Sequence, residues 1–212
     1  MQPPLQEPMI AESDSLSHKL EQIGRILRLI GWAGILTQLG LAVAIAVMLL
    51  FAIAGRSFNQ AVVAPTVPGA PVYGAGEAAT PGLGIGIFWA GCGIVTLLFT
   101  AYLAFRELRF ARRLRNPDPL IHPRKSEVMK VLRIGIIAGL IGMGLTILGT
   151  GASMGVLLAK SISIPQGVAI YAPTRIIRPV DVLVAMANTV GITAHFLGTI
   201  ASIATMNWLH RQ

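Results

Sequence analysis

Few residues of this chain stand where chemistry would be notable. His195 lies in the charge-free run Val182–His210, with Asn188, Thr193 and Thr199 within two helical turns. An ionisable side chain in so apolar a segment is a functional candidate by default. A neutral imidazole there could hydrogen-bond across helices, relay protons, or ligate a haem or pigment. Interhelical hydrogen bonding is the expectation, since polar side chains commonly join helices in lipid. Gly149-Thr150-Gly151 with Gly155 has the spacing of a dinucleotide fingerprint. That motif needs a preceding strand and a soluble βαβ unit, and neither suits this run. No paired carboxylates, metal-ligand cluster, catalytic triad or phosphate loop occurs in the sequence. The expectation is a protein that is not an enzyme and has no resident cofactor, a pigment or haem at His195 being the alternative.

A second constellation is electrostatic. Residues 105–133 read FRELRFARRLRNPDPLIHPRKSEVMKVLR and hold nine of the chain's 17 Lys and Arg, with Glu107, Asp118 and Glu127 as the acidic members. Arg109, Arg112, Arg113, Arg115, Arg124 and Lys125 are the candidates for docking anionic lipid or an acidic protein surface. Juxtamembrane cations attract anionic lipid by about 1 kcal/mol each. The stretch lacks the interleaved aromatics on which bases stack, so nucleic acid is not an expected partner.

The elements that position these groups follow from charge spacing. Charged residues make up 12% of the chain, against about 25% in ordinary soluble domains. Leu29–Gly55, Ala78–Phe105, Ile134–Ala159 and Val182–His210 contain no Asp, Glu, Lys or Arg. Each exceeds the roughly 20 apolar residues that cross a hydrocarbon core. The expected fold is all-α: a polytopic integral membrane protein with four transmembrane helices at about 29–54, 83–105, 134–158 and 182–206, forming a membrane domain over 29–210. No carboxylate falls inside these spans, Asp181 standing at a boundary. Residues 1–28 read as a flexible tail leading into a helix near Ser17–Arg28, and not as a secretory signal. Residues 56–82, rich in Pro, Gly and Ala, read as an extended loop, and 160–181 as a hairpin or surface loop. The basic loop 106–133 reads as helix, kinked linker, helix, because Asn116-Pro117, Asp118-Pro119 and His122-Pro123 force turns. Ser126 is the expected N-cap of the helix that follows, and Pro179 suits the first turn of the last one.

Small residues are spaced for close helix approach along the third span. Gly135 and Gly139, Ala138 and Gly142, and Gly151 and Gly155 are each four apart, the spacing that lets backbones meet in lipid. These five glycines are the expected packing face. With four spans, both termini and the basic loop share one side, which holds 13 Lys and Arg against four on the other. The positive-inside rule then places both termini and the loop in the cytoplasm, and topology alone accounts for most of the cluster.

The stretch FRELRFARRLRNPDPLIHPRKSEVMKVLRIG, the Gly-rich third span with its SISIPQG exit, and RIIRPVDVLVAMANTVGITAHFLGTIAS resemble an uncharacterised membrane-protein family of cyanobacteria and chloroplasts. The resemblance covers roughly residues 20–210. It implies four helices in a thylakoid or chloroplast-type membrane, and the absence of a plant transit peptide implies a cyanobacterial chain. It supplies no reaction, substrate or site residue. The functional expectation is a non-catalytic auxiliary or assembly subunit of a thylakoid photosynthetic or respiratory complex, in contact with membrane lipid. The alternative is a small oligomeric transporter or channel, whose weakness is the missing intramembrane charge.

Overall fold

The computed structural model describes residues 6–61, 83–116, 118–162 and 177–211. They form four helices, α1 (Gln6–Ala61), α2 (Leu83–Leu114), α3 (Lys125–Ile162) and α4 (Pro179–His210), with a 3-10 turn at Pro119–Ile121 between α2 and α3. No strand occurs among the described residues. At 1.5 Å per residue even the 32-residue helices are about 48 Å long, more than a hydrocarbon core of about 30 Å. All four are long and apolar enough to cross a membrane.

The surface of the bundle confirms its solvent. Leu29, Leu36, Val43, Leu50, Val95, Leu140 and Phe196 point outward from the middle of their helices. A soluble protein does not leave apolar area on that scale in water, so lipid must cover it. The chain is an integral membrane protein.

Consecutive helices run antiparallel in a ring. On α3 and α4, Gly135 faces Ser202, Gly139 faces Thr199, Gly142 faces His195 and Gly149 faces Asn188. One index rises as the other falls, over the length of the contact. Gly24 against Ala111 and Gly31 against Leu108 set the same sense for α1 and α2, as Gly86 against Ser153 and Gly93 against Thr146 do for α2 and α3. α1 also packs on α4, closing the ring, and α2 reaches α4 across it. At the loop side Leu27, Leu103, Phe110, Val131, Leu132 and Leu209 form an apolar cluster drawn from all four helices. Farther in, the apolar core is smaller, made of Ala42, Ile45, Leu49, Ala90, Leu97, Ala187 and Ala194.

Several expected boundaries shift. α1 begins at Gln6, so the tail and the separate lead-in near Ser17 are one helix continuous with the first span. Pro8 stands in its first turn, where it removes no helical hydrogen bond. α1 runs on to Ala61 and α3 to Ile162, taking the first residues of both expected far-side loops. The rest of 56–82 and the hairpin expected within 160–181 lie outside the described residues. Ser126 is not the cap of α3. The Arg124 carbonyl accepts from Glu127 N at 2.9 Å and from Val128 N at 3.4 Å, which puts Ser126 inside the first turn. At α4 the expectation holds: Pro179 occupies the first turn. Asp181 Oδ2 accepts from Arg178 N at 2.9 Å.

Candidate functional site

The bundle holds a column of polar side chains, buried apart from the half-buried Ser202, each set against a glycine of the neighbouring helix. From the loop side inward, Ser202 packs on Gly135, Thr199 on Gly139, Gln38 on Gly198 and His195 on Gly142. Farther in, the Thr146 methyl lies between Gly93 and Gly191, where a Cβ would come within 2.6 and 2.7 Å of it. Asn188 then packs on Gly149 and Ser153 on Gly86. Without a side chain on the facing residue, two helices approach closely enough to bury a polar group between them.

Most of these groups satisfy themselves locally. Thr146 Oγ1 donates to Gly142 O at 2.9 Å, Ser153 Oγ to Gly149 O at 2.8 Å, and Thr199 Oγ1 to His195 O at 2.8 Å. This i−4 bonding is the usual answer for hydroxyls in helices. Asn188 Nδ2 does more, donating to Val184 O at 3.0 Å and across to Gly86 O on α2 at 3.1 Å. At the far end Lys160, in the last turn of α3, pairs with Asp181 in the first turn of α4, both buried.

His195 differs. It is 1% exposed, and its Nε2 side meets the backbone of Gly93 on α2 while Nδ1 has no hydrogen-bond partner. The expected interhelical contact is directed at the α2 backbone at Gly93, since Gly142, the neighbour on α3, offers no side-chain acceptor. Gln38 Oε1, Asn188 Oδ1 and Asp181 Oδ1 are also buried without partners. Between the four helices lies a cavity of about 30 Å³ lined by Gln38, Thr100, Glu107, His195, Gly198 and Ser202, among others. A cavity needs about 10–15 Å³ for each water it holds, so one or two fit. A haem or pigment does not fit: its macrocycle would need α3 to leave its contact with His195.

Glu107, read from the sequence as a charge of the basic loop, is buried in the bundle. α2 continues without a break to Leu114 and turns Glu107 inward, 7% exposed, while Arg106 and Arg109 on either side face out. Among the described residues no cation pairs with Glu107. Reading the span as ending where charge begins at Arg106 hid this, because the helix face, not the count, decides which charge goes in.

The glycine expectation divides. Gly135, Gly139 and Gly142 lie on the buried face of α3 as expected, and Gly149 joins them. Gly151 and Gly155 do not: both are exposed, and a Cβ on either would meet nothing within 4 Å. They stand on the opposite stripe of the helix, with Leu148 and Leu158.

Arg109, Arg112, Arg113, Arg115, Arg124 and Lys125 are all exposed, as are Arg106, Lys130 and Arg133. Arg109 stacks over Phe105 at 4.8 Å and Arg106 over Phe110 at 5.9 Å, cation–π contacts that hold two guanidinium groups against α2. Leu120, on the turn between the two basic helix ends, is 93% exposed.

The column had a sequence signal that charge counting passes over. Gly24, Gly31, Gln38, Ile45 and Ala52 recur every seven residues on α1, and Gly86, Gly93, Thr100 and Glu107 on α2. α3 repeats the pattern with Leu132, Gly139, Thr146, Ser153 and Lys160, and α4 with Asp181, Asn188, His195, Ser202 and Leu209. A seven-residue repeat keeps one seam facing a partner through a left-handed bundle. Here the seam is glycine and polar rather than leucine.

Comparisons with known proteins narrow the kinship. The chain is 29% identical over 201 residues to Protein TIC 21, chloroplastic, of Arabidopsis thaliana, a match over 91% of this chain and 60% of that protein. The chain thus spans less than two thirds of the length of that relative. No solved structure matches. A family model described as "Protein of unknown function (DUF3611)" matches residues 17–210, nearly the whole four-helix bundle, and the chain belongs to that family.

Proposed function

We propose that this membrane protein works without covalent catalysis, as a narrow polar pathway for a small solute or ion, the transporter or channel reading. One observation carries it: the buried polar column, with an ion pair at one end and an unpaired carboxylate toward the other. Ionisable groups inside membrane spans are costly and mark substrate, ion or proton routes. Gly–polar seams on all four helices place that cost along the bundle axis. Burial of Glu107 within the bundle supports this reading against the objection that intramembrane charge is missing. Flux into liposomes holding only this protein tests the reading. Uptake lost in Glu107→Gln and in His195→Leu, both still folded, is the expected result. Protein-free and protein-containing liposomes that take up ions and small solutes equally would refute it.

A second reading has its own observation, the nine exposed cations around Leu120 on the loop side. They suit an auxiliary subunit that docks on anionic lipid or on an acidic face of a larger membrane complex. The family's chloroplast relative supports a cyanobacterial or plastid setting, and the resemblance supports a thylakoid one, with a photosynthetic or respiratory complex as partner. The 13-to-four excess of Lys and Arg supports termini and basic loop in the cytoplasm or its plastid equivalent. Gentle solubilisation of native membranes separates the readings. A stoichiometric large partner favours the subunit; a homo-oligomer alone favours the pathway.

A further inference from the structure

The loop-side half of the column contains polar groups that packing does not use up. His195 Nδ1 and Gln38 Oε1 are buried and unpartnered, and Glu107 lies beside the same cavity without a cation. An unpartnered buried polar group costs on the order of 1–3 kcal/mol, and a charged one more, so several such groups around one space call for water within it. The cavity has that room and the several polar walls that a bound water needs. Among its lining residues the titratable ones are Glu107 from α2 and His195 from α4. α1 contributes Gln38 with Ile30 and Gly34, and α3 only Gly135 and Gly139.

Distance sets how the two groups could communicate. Gly93, which faces His195, precedes Glu107 on α2 by 14 residues, about 21 Å along the axis at 1.5 Å per residue. Thr100 stands midway on α2, and Ser202 two turns beyond His195 on α4 toward the loop side. Each gap is then about 10 Å along the axis, too long for direct contact, so the one or two waters that the cavity holds must act together with the Thr100 and Ser202 hydroxyls. On the far side of His195 the path closes, because the Thr146 methyl fills the space between Gly93 and Gly191 and its hydroxyl is committed to Gly142 O.

We propose that this groove is a hydrated proton-access path, in which Glu107 takes up a proton from loop-side water and waters held by Thr100, Gln38 and Ser202 pass it to His195. In the step the Glu107 carboxyl loses its proton and becomes carboxylate, and a neutral imidazole nitrogen gains one and becomes imidazolium. Glu107 reloads from bulk water, so no oxidant or co-reactant enters. The inference rests on the pathway reading for its purpose, since a proton held at His195 below the Thr146 plug is what a coupled carrier would use.

Two measurements on the full chain in lipid vesicles test it, separately from flux. In a Cys92→Ala background, Ag⁺ added from the loop side should modify Ser202→Cys at least about tenfold faster than Phe196→Cys in lipid or Thr146→Cys beyond the plug, because only a hydrated thiol ionises to the reactive thiolate. Equal rates at the three positions would overturn the path. Infrared difference spectra across pH should show the carbonyl stretch of a protonated carboxyl that disappears in Glu107→Gln and shifts in Glu107→Asp. In His195→Gln its titration midpoint should move by about 0.6 pH unit, roughly fourfold in proton affinity. Two unit charges about 20 Å apart at an effective dielectric of about 20 interact to that extent. An unmoved midpoint would show that the two sites do not communicate, and the proposal would fail. A hydrated, coupled pair in a protein that moves no solute would instead sink the pathway reading and leave the proton site standing.

Discussion

Gly142→Ala and Gly151→Ala are the same chemical change in the same helix, and the structure assigns them opposite consequences. A Cβ on Gly142 falls on the His195 ring, while one on Gly151 meets nothing within 4 Å. Both substitutions gain the same helix propensity, up to about 1 kcal/mol, so the difference between them isolates the contact. His195 is fully buried and cannot swing aside into solvent, so α3 and α4 must separate or the imidazole must leave its rotamer. Overpacking of that kind costs about 1–3 kcal/mol. Gly142→Ala should therefore be about 1–3 kcal/mol less stable than Gly151→Ala, which itself should match or slightly exceed the parent. Reversible unfolding in mixed micelles, titrated with a denaturing detergent, reads the difference as a shift in midpoint. The cycle with His195→Ala sharpens it: removing the ring makes room for the methyl, so the double variant should recover about 1 kcal/mol or more relative to additivity. If Gly151→Ala proves as damaging as Gly142→Ala, the inward face of α3 has been misidentified, and the polar column with it.

Other outcomes follow from the same geometry. Lys160→Met leaves Asp181 buried without its cation and should cost about 3–5 kcal/mol, whereas Lys160→Met with Asp181→Leu should recover most of that, measured by the same unfolding titration; equal losses in both variants would deny the buried pair. Cysteines at Leu120 and at Ala70 should label from opposite sides of sealed vesicles with an impermeant thiol reagent, and labelling from one side would break the four-span topology. Neutralising Arg112, Arg113 and Arg115 together should leave the unfolding midpoint unchanged, because all three are exposed, yet reduce retained anionic lipid, each cation being worth about 1 kcal/mol. Lipid mass spectrometry of the purified protein reads that, and undiminished retention would leave the cluster as a topology signal only.

The four helices and the linker between α2 and α3 were legible because lipid imposes its requirement locally. A segment crossing hydrocarbon must satisfy its own backbone and shed its charges, and four long charge-free runs record that whatever packs beside them. Pro179 at the start of α4 and the turn around Pro119 and Pro123 were legible for the same reason, since proline acts on its own backbone. Gly135, Gly139 and Gly142 could be identified as packing residues from spacing alone. Gly151 and Gly155 had an equally good spacing and face lipid, because two glycines four apart mark a smooth stripe without saying which way it points. Direction is a property of the neighbour: Asn188, His195, Thr199 and Ser202 on α4 fix which stripe of α3 turns inward. Glu107 likewise read as one more loop charge until the rotation of α2 carried it into the bundle between two outward arginines. Lys160 and Asp181 stand 21 residues apart, and only the antiparallel meeting of α3 and α4 joins them. Composition and local backbone chemistry set which segments enter the membrane. The rotation of each helix about its axis, and so the polar column, depends on contacts between residues distant in the chain and is decided only when the four surfaces meet.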